Sequence, residues 1–453
     1  MNTITRHIVT IPETGRQVHY RRCGRGPVLL MVHQSPRSSA EYEALMQQWS
    51  AHFTCIAPDT PGFGQSDPLP QVGRRDPEIG DFADALGEFL DALGVGPCPA
   101  YGFHSGGIIL VTALKRQPHR FRCLAIGGYA IWTEEEMRIF GERYLPEFHP
   151  SDYGEHLTWL WNRMLEQSWV FPWFDTREEA RLSVAHADVA RANQAVMEML
   201  DAGNDYRAGY GAVLRAPRDI PTASADVPPC LITAYDGDPL QAHIDRLGAM
   251  PAGWNAKKVA TPADHQAESL AFLLENGADG PLSNLAEDDT EGWLEVDGQL
   301  IHWKGTRGGD ALVLHGPAGE MDEPHEDTLA IDVPGHGQSS EFDDIEAAVR
   351  IAAEELGASR ILWPTPPEGN PERLYPDMAP DRFGQHLQRA WAIARAEAFF
   401  SPWYEANAAN AIPLDQQALD PAALHAGALA RIRSGSAARR WHDALLLING
   451  ASE

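Results

Sequence analysis

Two side chains that can do chemistry stand together in Gly102-Phe-His-Ser-Gly-Gly107. Imidazole moves protons near neutral pH, and a serine hydroxyl becomes a nucleophile when a base takes its proton. The glycines decide how the pair is presented. A strand that turns sharply into a helix needs small residues two before and two after the apex, as in G-x-S-x-G turns. With His104 at the apex those positions are Gly102 and Gly106. With Ser105 at the apex they are Phe103 and Gly107, and a phenyl ring does not fit. The spacing therefore predicts His104 at the apex, where this kind of turn usually carries serine. Histidine tolerates the positive φ of an apex better than most residues. A glycine-rich turn with no chemistry has the same pattern.

The flanking elements fit a strand–turn–helix at the centre of a sheet. Val28–His33 and Phe53–Pro58 are continuous apolar runs, as buried parallel strands are, and Cys123–Ile126 is another. His7–Ile11 and Val18–Tyr20 read as a hairpin, Tyr42–Ala51 as a helix, and Asp81–Leu93 as a helix with Phe82, Leu86, Phe89, Leu90 and Leu93 on one face. Alternating strands and helices imply an α/β fold with a sheet covered on both faces. At 453 residues the chain is long enough for two domains. Its 36 Lys and Arg against 64 Asp and Glu give −28, which disfavours nucleic acid and anionic membranes as partners. Five cysteines, none at metal-ligand spacing, read as buried free thiols in a reducing compartment. The polar Met1–Arg16 and the short apolar runs predict a soluble, cytoplasmic protein.

At this point the chain resembles the α/β-hydrolases over about residues 5–275. His33-Gln-Ser-Pro36 is similar to the family's His-Gly-x-Pro oxyanion loop, with Gln34 where glycine is usual. Asp59-Thr-Pro-Gly-Phe-Gly-Gln-Ser66 and the Gly102–Gly107 turn follow in order. Cys230–Leu240 resembles the strand and loop that carry the family's acid, and Ala263-Asp-His-Gln266 the loop of its histidine. The resemblance implies a catalytic set of His104, Ser105, Asp238 and His265, with Asp236 competing for the acid's role. It implies oxyanion donors near Gln34 and Ser105, beside His33, and no cofactor or metal. Three chemistries stay open: attack by Ser105 as in an esterase or carbon–carbon-bond hydrolase; proton transfer shared by His104 and His265, with water-mediated hydrolysis, a lyase step or other cofactor-free chemistry; and ligand or partner binding without catalysis. A small apolar or aromatic ester or carbonyl compound is the expected substrate.

Residues 144–225 break the pattern with helices rich in aromatics, among them Trp159, Trp161, Trp169, Phe171, Trp173 and Phe174. They read as a cap inserted in a core of 1–143 and 226–275. Trp161, Trp173 and the cap residue His156 are its candidate substrate contacts. After an acidic linker at 276–291, residues 292–453 echo the first half. Asp332-Val-Pro-Gly-His-Gly-Gln-Ser339 matches Asp59–Ser66, and Gly384, His386 and Trp391 stand 230 positions after Gly154, His156 and Trp161. Pro364-Thr-Pro-Pro367 stands where an apex turn belongs. The reading is a truncated, degenerate repeat with a cap remnant at about 371–433. It makes the chain an internal pseudo-dimer, with further self-association left open. Trp441–Ile448 reads as the remnant of a late strand.

Overall fold

The computed structural model describes residues 2–70, 75–183, 185–217, 220–277 and 290–450. Contacts divide the chain into two compact units, Met1–Phe148 with Arg163–Glu287, and His149–Asn162 with Asp288–Glu453. Of the cap expected at residues 144–225, residues 149–162 group with the second unit. Of the expected linker, residues 278–289 lie outside the described residues.

The first unit is built on eight strands: β1 (Thr5–Thr10), β2 (Gln17–Cys23), β3 (Val28–Val32), β4 (Thr54–Pro58), β5 (Cys98–Phe103), β6 (Phe121–Gly127), β7 (Cys230–Tyr235) and β8 (Trp254–Val259). Their order in the sheet is β1-β2-β4-β3-β5-β6-β7-β8. β1 and β2 form the expected antiparallel hairpin, β2 pairs antiparallel to β4, and the pairs from β4 through β8 are parallel. Every residue of β3 and β4 is buried, which is why neither strand alternates in hydrophobicity. The helices are α1 (Glu43–Trp49), α2 (Ile79–Ala92), α3 (Ser105–Arg116), α4 (Glu134–Phe140), α5 (Glu155–Glu166), α6 (Val189–Ala202), α7 (Tyr206–Arg215) and α8 (Pro262–Asn276), with the first two turns of α5 grouped in the second unit. One core packs α2 and α3 on the sheet; a second, with Leu45, Met46, Trp49 and Leu273, packs α1 and α8 on the other face. The five cysteines are free and buried.

Asp59, at the end of β4, ties the loops at the strand ends together. Its carboxylate pairs with His19 Nδ1 at 2.7 Å and accepts the Ser39 and Gln65 N–H groups at 2.7 and 2.9 Å. Gly64 is required here, since a Cβ would lie 2.0 Å from Asp59 Oδ2.

The second unit holds five strands, β9 (Glu291–Val296), β10 (Gln299–Gly305), β11 (Ala311–Leu314), β12 (Thr328–Ile331) and β13 (Ile361–Leu362), in the order β9-β10-β12-β11-β13. Its helices are α9 (Ile345–Leu356), α10 (Pro371–Leu374), α11 (Gln385–Glu397), α12 (Pro421–Ser434) and α13 (Ala437–Gly450). The expected strand at Trp441–Ile448 is part of α13. The period explains it: Trp441 and Leu445 are buried four residues apart, while Leu446 and Leu447 are 52% and 76% exposed.

Within this unit the start of α5 and α11 pack reciprocally. Trp391 covers Gly154 and Trp161 covers Gly384; a Cβ would lie 2.7 Å from the one indole and 2.5 Å from the other. His156 meets Trp391 edge-on at 5.1 Å, and His386 meets Trp161 edge-on at 5.2 Å. Both glycines have positive φ. Gly384→Ala therefore combines a strained backbone with an overpacked contact and should cost about 2–4 kcal/mol. The check is the unfolding transition of the second unit followed by tryptophan fluorescence; a midpoint equal to the wild-type value contradicts the packing argument.

Candidate active site

The turn after β5 has the geometry that the glycines require. His104 has φ 46° and ψ −110°, and α3 begins at Ser105. A Cβ at Gly106 would sit 1.9 Å from the Val32 carbonyl oxygen, and one at Gly102 would sit 2.8 Å from Leu110 Cδ1. The His104 N–H is fixed to Gly127 O at 2.7 Å. His104, and not Ser105, is the residue at positive φ.

Asp238 reaches His104 directly. Its Oδ1 and Oδ2 lie 3.0 and 3.2 Å from His104 Nε2. The Asp238 side chain is fully buried and that of His104 is 22% exposed. Burial alone would raise the Asp238 pKa, but the His104 imidazole and the Leu240 N–H outweigh it and hold the carboxyl below its ordinary value. Asp236, the competitor, is exposed and accepts a hydrogen bond from Gln241. With Nε2 turned to Asp238, His104 Nδ1 has no hydrogen-bond partner among the described residues.

His265 is not joined to this pair by a hydrogen bond. The expected loop is the first turn of α8, capped by Thr261, and that turn points His265 into the sheet. There Nε2 meets the Tyr101 hydroxyl at 2.8 Å and Nδ1 meets Thr233 Oγ1 at 2.5 Å. Burial, first of all, holds its pKa down to about 4, so it is neutral at pH 7. The Ser105 hydroxyl accepts the Ser35 N–H at 2.5 Å and donates to Ser35 Oγ at 3.2 Å, with no histidine in reach of it by a hydrogen bond. Gln34 N–H points to Glu41 Oε1 at 3.4 Å. Of the oxyanion donors expected near Gln34 and Ser105, the Gln34 and Ser35 N–H groups are engaged, and the Ser105 N–H at the start of α3 has no partner among the described residues.

His33 is a buried strut: Nδ1 donates to Gln34 O and Nε2 accepts from Thr60 N–H. Trp173 lies in the aromatic cluster of the first unit, donating to Tyr144 O, with Arg163 over its ring. His156 and Trp161 belong to the second unit, where His156 Nε2 meets His425 Nδ1 at 3.0 Å and Trp161 Nε1 donates to Arg382 O. A cavity of about 50 Å³ opens beside His104 and Ser105, walled by Trp132, Phe171, Tyr210 and Leu240 among others. Of these, Phe171 stood in the aromatic run of the sequence. Leu240 ends the motif read as the acid loop, whereas Trp132 and Tyr210 lacked any local signal, since distant segments bring them there.

A family model described as alpha/beta hydrolase fold matches residues 27–192. The first unit has the alpha/beta hydrolase fold. The chain is 32% identical over 119 residues to the 2-(acetamidomethylene)succinate hydrolase of Mesorhizobium japonicum, a match covering 26% of this chain and 41% of that protein. It is 27% identical over 127 residues to haloalkane dehalogenase 2 of Mycobacterium tuberculosis, covering 27% of this chain and 42% of that one. The chain thus spans about two fifths of the length of the curated relatives it matches. Among solved structures it is similar to epoxide hydrolase A from Mycobacterium thermoresistibile, with 14% identity, a TM-score of 0.45 and coverage of 61% of this chain and 100% of that one. Among the described residues no helix is long and apolar enough to cross a membrane.

One buried acid of this hydrolase fold had not been singled out by spacing. Glu41 Oε2 is buried without a hydrogen-bond partner. Burial, only partly offset by Arg37, pushes its pKa up to about 7. A carboxyl with a raised folded-state pKa stabilises the fold below its unfolded value and loses that contribution as pH rises through about 7. The neutral buried histidines, His265 among them, act the other way, with stability lost as pH falls from 6.5 towards about 4. Glu41→Gln keeps an acceptor for Gln34 N–H and removes the titration. Relative to wild type, it should gain at least about 2 °C in melting temperature between pH 5 and pH 8, the shift that roughly 1 kcal/mol makes in a domain of this size. Parallel pH profiles for the two proteins contradict this assignment.

Proposed function

We propose that this chain is a hydrolase of small ester or carbonyl compounds whose base is His104, held at the apex of the turn and oriented by Asp238. The observation that carries this reading is the direct Asp238–His104 pair, with the His265 nitrogens bonded elsewhere. Asp238 accepts the Nε2–H, which leaves Nδ1 as the basic nitrogen. Nδ1 takes a proton from water as the water oxygen attacks the substrate's carbonyl carbon. The carbonyl oxygen becomes an oxyanion beside the Ser105 N–H. The bond to the leaving oxygen then breaks, and that oxygen receives the proton from Nδ1. Ester and water give acid and alcohol, with no acyl-enzyme. His265 acts as a positioning residue that fixes Tyr101 and Thr233 beneath the turn. The apolar walls Trp132, Phe171 and Leu240 favour an apolar or aromatic group at this end of the substrate. The relatives' names, a succinate-derivative hydrolase and a haloalkane dehalogenase, support small hydrolysable molecules as the class.

A non-catalytic, ligand-binding role has one observation in its favour: the Ser105 hydroxyl already occupies the Ser35 N–H. It must turn away before that amide can serve an oxyanion.

We infer also that residues 292–448 descend from a second copy of the first half. The sheet order β9-β10-β12-β11-β13 follows β1-β2-β4-β3-β5 with the same senses of pairing. His302 pairs with Asp332 at 2.9 Å as His19 does with Asp59, and His302 N–H donates to Ser339 Oγ as His19 N–H does to Ser66 Oγ. The reciprocal Gly154 and Gly384 contacts keep the 230-residue offset.

The readings separate on 4-nitrophenyl acetate and butyrate with the full chain. Asp238→Asn should lower kcat by up to about 10⁴-fold, the scale found when a histidine loses its orienting acid. His104→Ala should reduce turnover to background, and Ser105→Ala should keep kcat within about threefold. A fluorophosphonate probe should leave Ser105 unlabelled. Stoichiometric labelling at Ser105 with loss of activity in Ser105→Ala returns the serine to the nucleophile's role. Unchanged turnover in both His104→Ala and Asp238→Asn ends the proposal.

A further inference from the structure

A second cavity of the first unit, about 200 Å³, meets the elbow cavity at Ser35, which lines both. Its walls are the loop Gln34–Arg37, Met164, Leu165, Gln167, Ser168, His186 and one side of α6 at Arg191, Ala192 and Ala195. Its charge is opposite to that of the chain. The sequence carries 64 acidic residues and a net −28, yet no carboxylate is among the residues lining this cavity, and two arginines are.

The donors are not consumed by neighbours. Arg191 has no carboxylate partner among the described residues; its backbone N–H binds the Asp188 cap, and its guanidinium makes no ion pair. Arg37 gives Nε to Glu198, which keeps that arginine in place, and its terminal nitrogens have no partner among the described residues. Glu198 is itself bonded by Ser38 and Gln194. His186 Nδ1 accepts the Asp188 N–H at 3.4 Å, which leaves Nε2–H as a donor. The Gln34 side chain is engaged by Glu41 and is not counted among the donors. Ser168 is excluded as a donor, because its hydroxyl bridges Leu165 O and His186 O. Glu41, the other acid near this loop, accepts the Gln34 N–H at 3.4 Å. The field of Arg191 also reaches Tyr235, the residue that leads into the Asp238 loop.

We propose that this cavity seats a carboxylate carried by the substrate, held by Arg191 with Arg37 and His186, while the scissile carbonyl of the same molecule lies at Ser35 and His104. The inference rests on the hydrolase reading above and narrows its substrates to small carboxylate-bearing esters or related acyl compounds. A planar guanidinium matches a carboxylate through two parallel N–H donors, so Arg191 sets where the acid end lies and thereby which carbonyl reaches His104.

Two measurements test it on the full chain. The first compares kcat/KM for mono-4-nitrophenyl glutarate, which has a free carboxylate, with 4-nitrophenyl butyrate, which has none. Wild type should prefer the glutarate ester by at least about tenfold. In Arg191→Met that ratio should fall to about one, chiefly through a rise in KM for the glutarate ester, and Arg191→Lys should recover part of it. The second uses glutarate itself as a probe, in calorimetry and thermal shift. It should bind wild type and His104→Ala alike, and binding to Arg191→Met should weaken at least tenfold. Glutarate binding that depends on Arg191, in a protein that hydrolyses neither ester, keeps the anion seat and overturns the hydrolase reading. Hydrolysis with no preference for the glutarate ester and no glutarate binding does the reverse.

Discussion

The approach of α3 to β3 at one point governs the site. At Gly106 there is no room for a Cβ, because the Val32 carbonyl oxygen would lie 1.9 Å from it. A helix that starts so close to the neighbouring strand can leave β5 only through an abrupt turn, and the residue at that turn must take a positive φ. Position 104 is therefore fixed by backbone sterics before any side-chain chemistry is considered. Gly102 clears the inner side of the same turn. Whatever residue occupies 104 is lifted towards the strand ends, next to the acid loop after β7. Here it is an imidazole, long enough to reach Asp238 without an intermediary.

That reach rearranges the electrostatics. One buried carboxylate faces two histidines, and it bonds the one at the apex. His265 then has no hydrogen bond from the acid; it is buried, neutral and satisfied by two hydroxyls. A buried histidine that lost those partners would leave an unsatisfied ring nitrogen beneath the turn. The Tyr101 and Thr233 hydroxyls are as much a part of the site's architecture as the acid, since they remove His265 from competition for Asp238.

Much of this was legible in the residues. The continuous apolar runs of β3 and β4, the helix read at Asp81–Leu93 and seen as α2, and the positive φ at His104 followed from burial, period and the steric demands of glycine. What failed did so for identifiable reasons. The apolar run at Leu445–Ile448 is too short to separate strand from helix without Trp441, whose spacing from Leu445 is helical. Asp264 and His265 read as a loop because the cap at Thr261 was not weighed, and one turn of helix reverses where the histidine points. His156 and Trp161 read as substrate contacts from their place in the cap, whereas their partners His425, Trp391 and Gly384 lie more than 200 positions away. The walls Trp132, Tyr210 and Leu240 come from three separate segments, a juxtaposition that no local pattern encodes.

The second unit separates scaffold from chemistry. It has a buried His302–Asp332 pair, the Ser339 hydroxyl on the His302 N–H, and His315 bonded to Val333 N–H and Gly316 O. Each has a counterpart in the first unit, in His19–Asp59, Ser66 and His33. The described second unit has no helix starting directly after β13 and no apex residue to present; Pro364-Thr-Pro-Pro367 follows instead. The same network in a unit with no apex residue is a structural device, not a part of the candidate chemistry. Its physical role is the one seen at Asp59, where a buried carboxylate fixes the loops at the strand ends by accepting their N–H groups. By the same comparison the residues peculiar to the first unit carry what is specific to it: the apex histidine, the acid loop that meets it, and the arginine-lined cavity that adjoins them at Ser35.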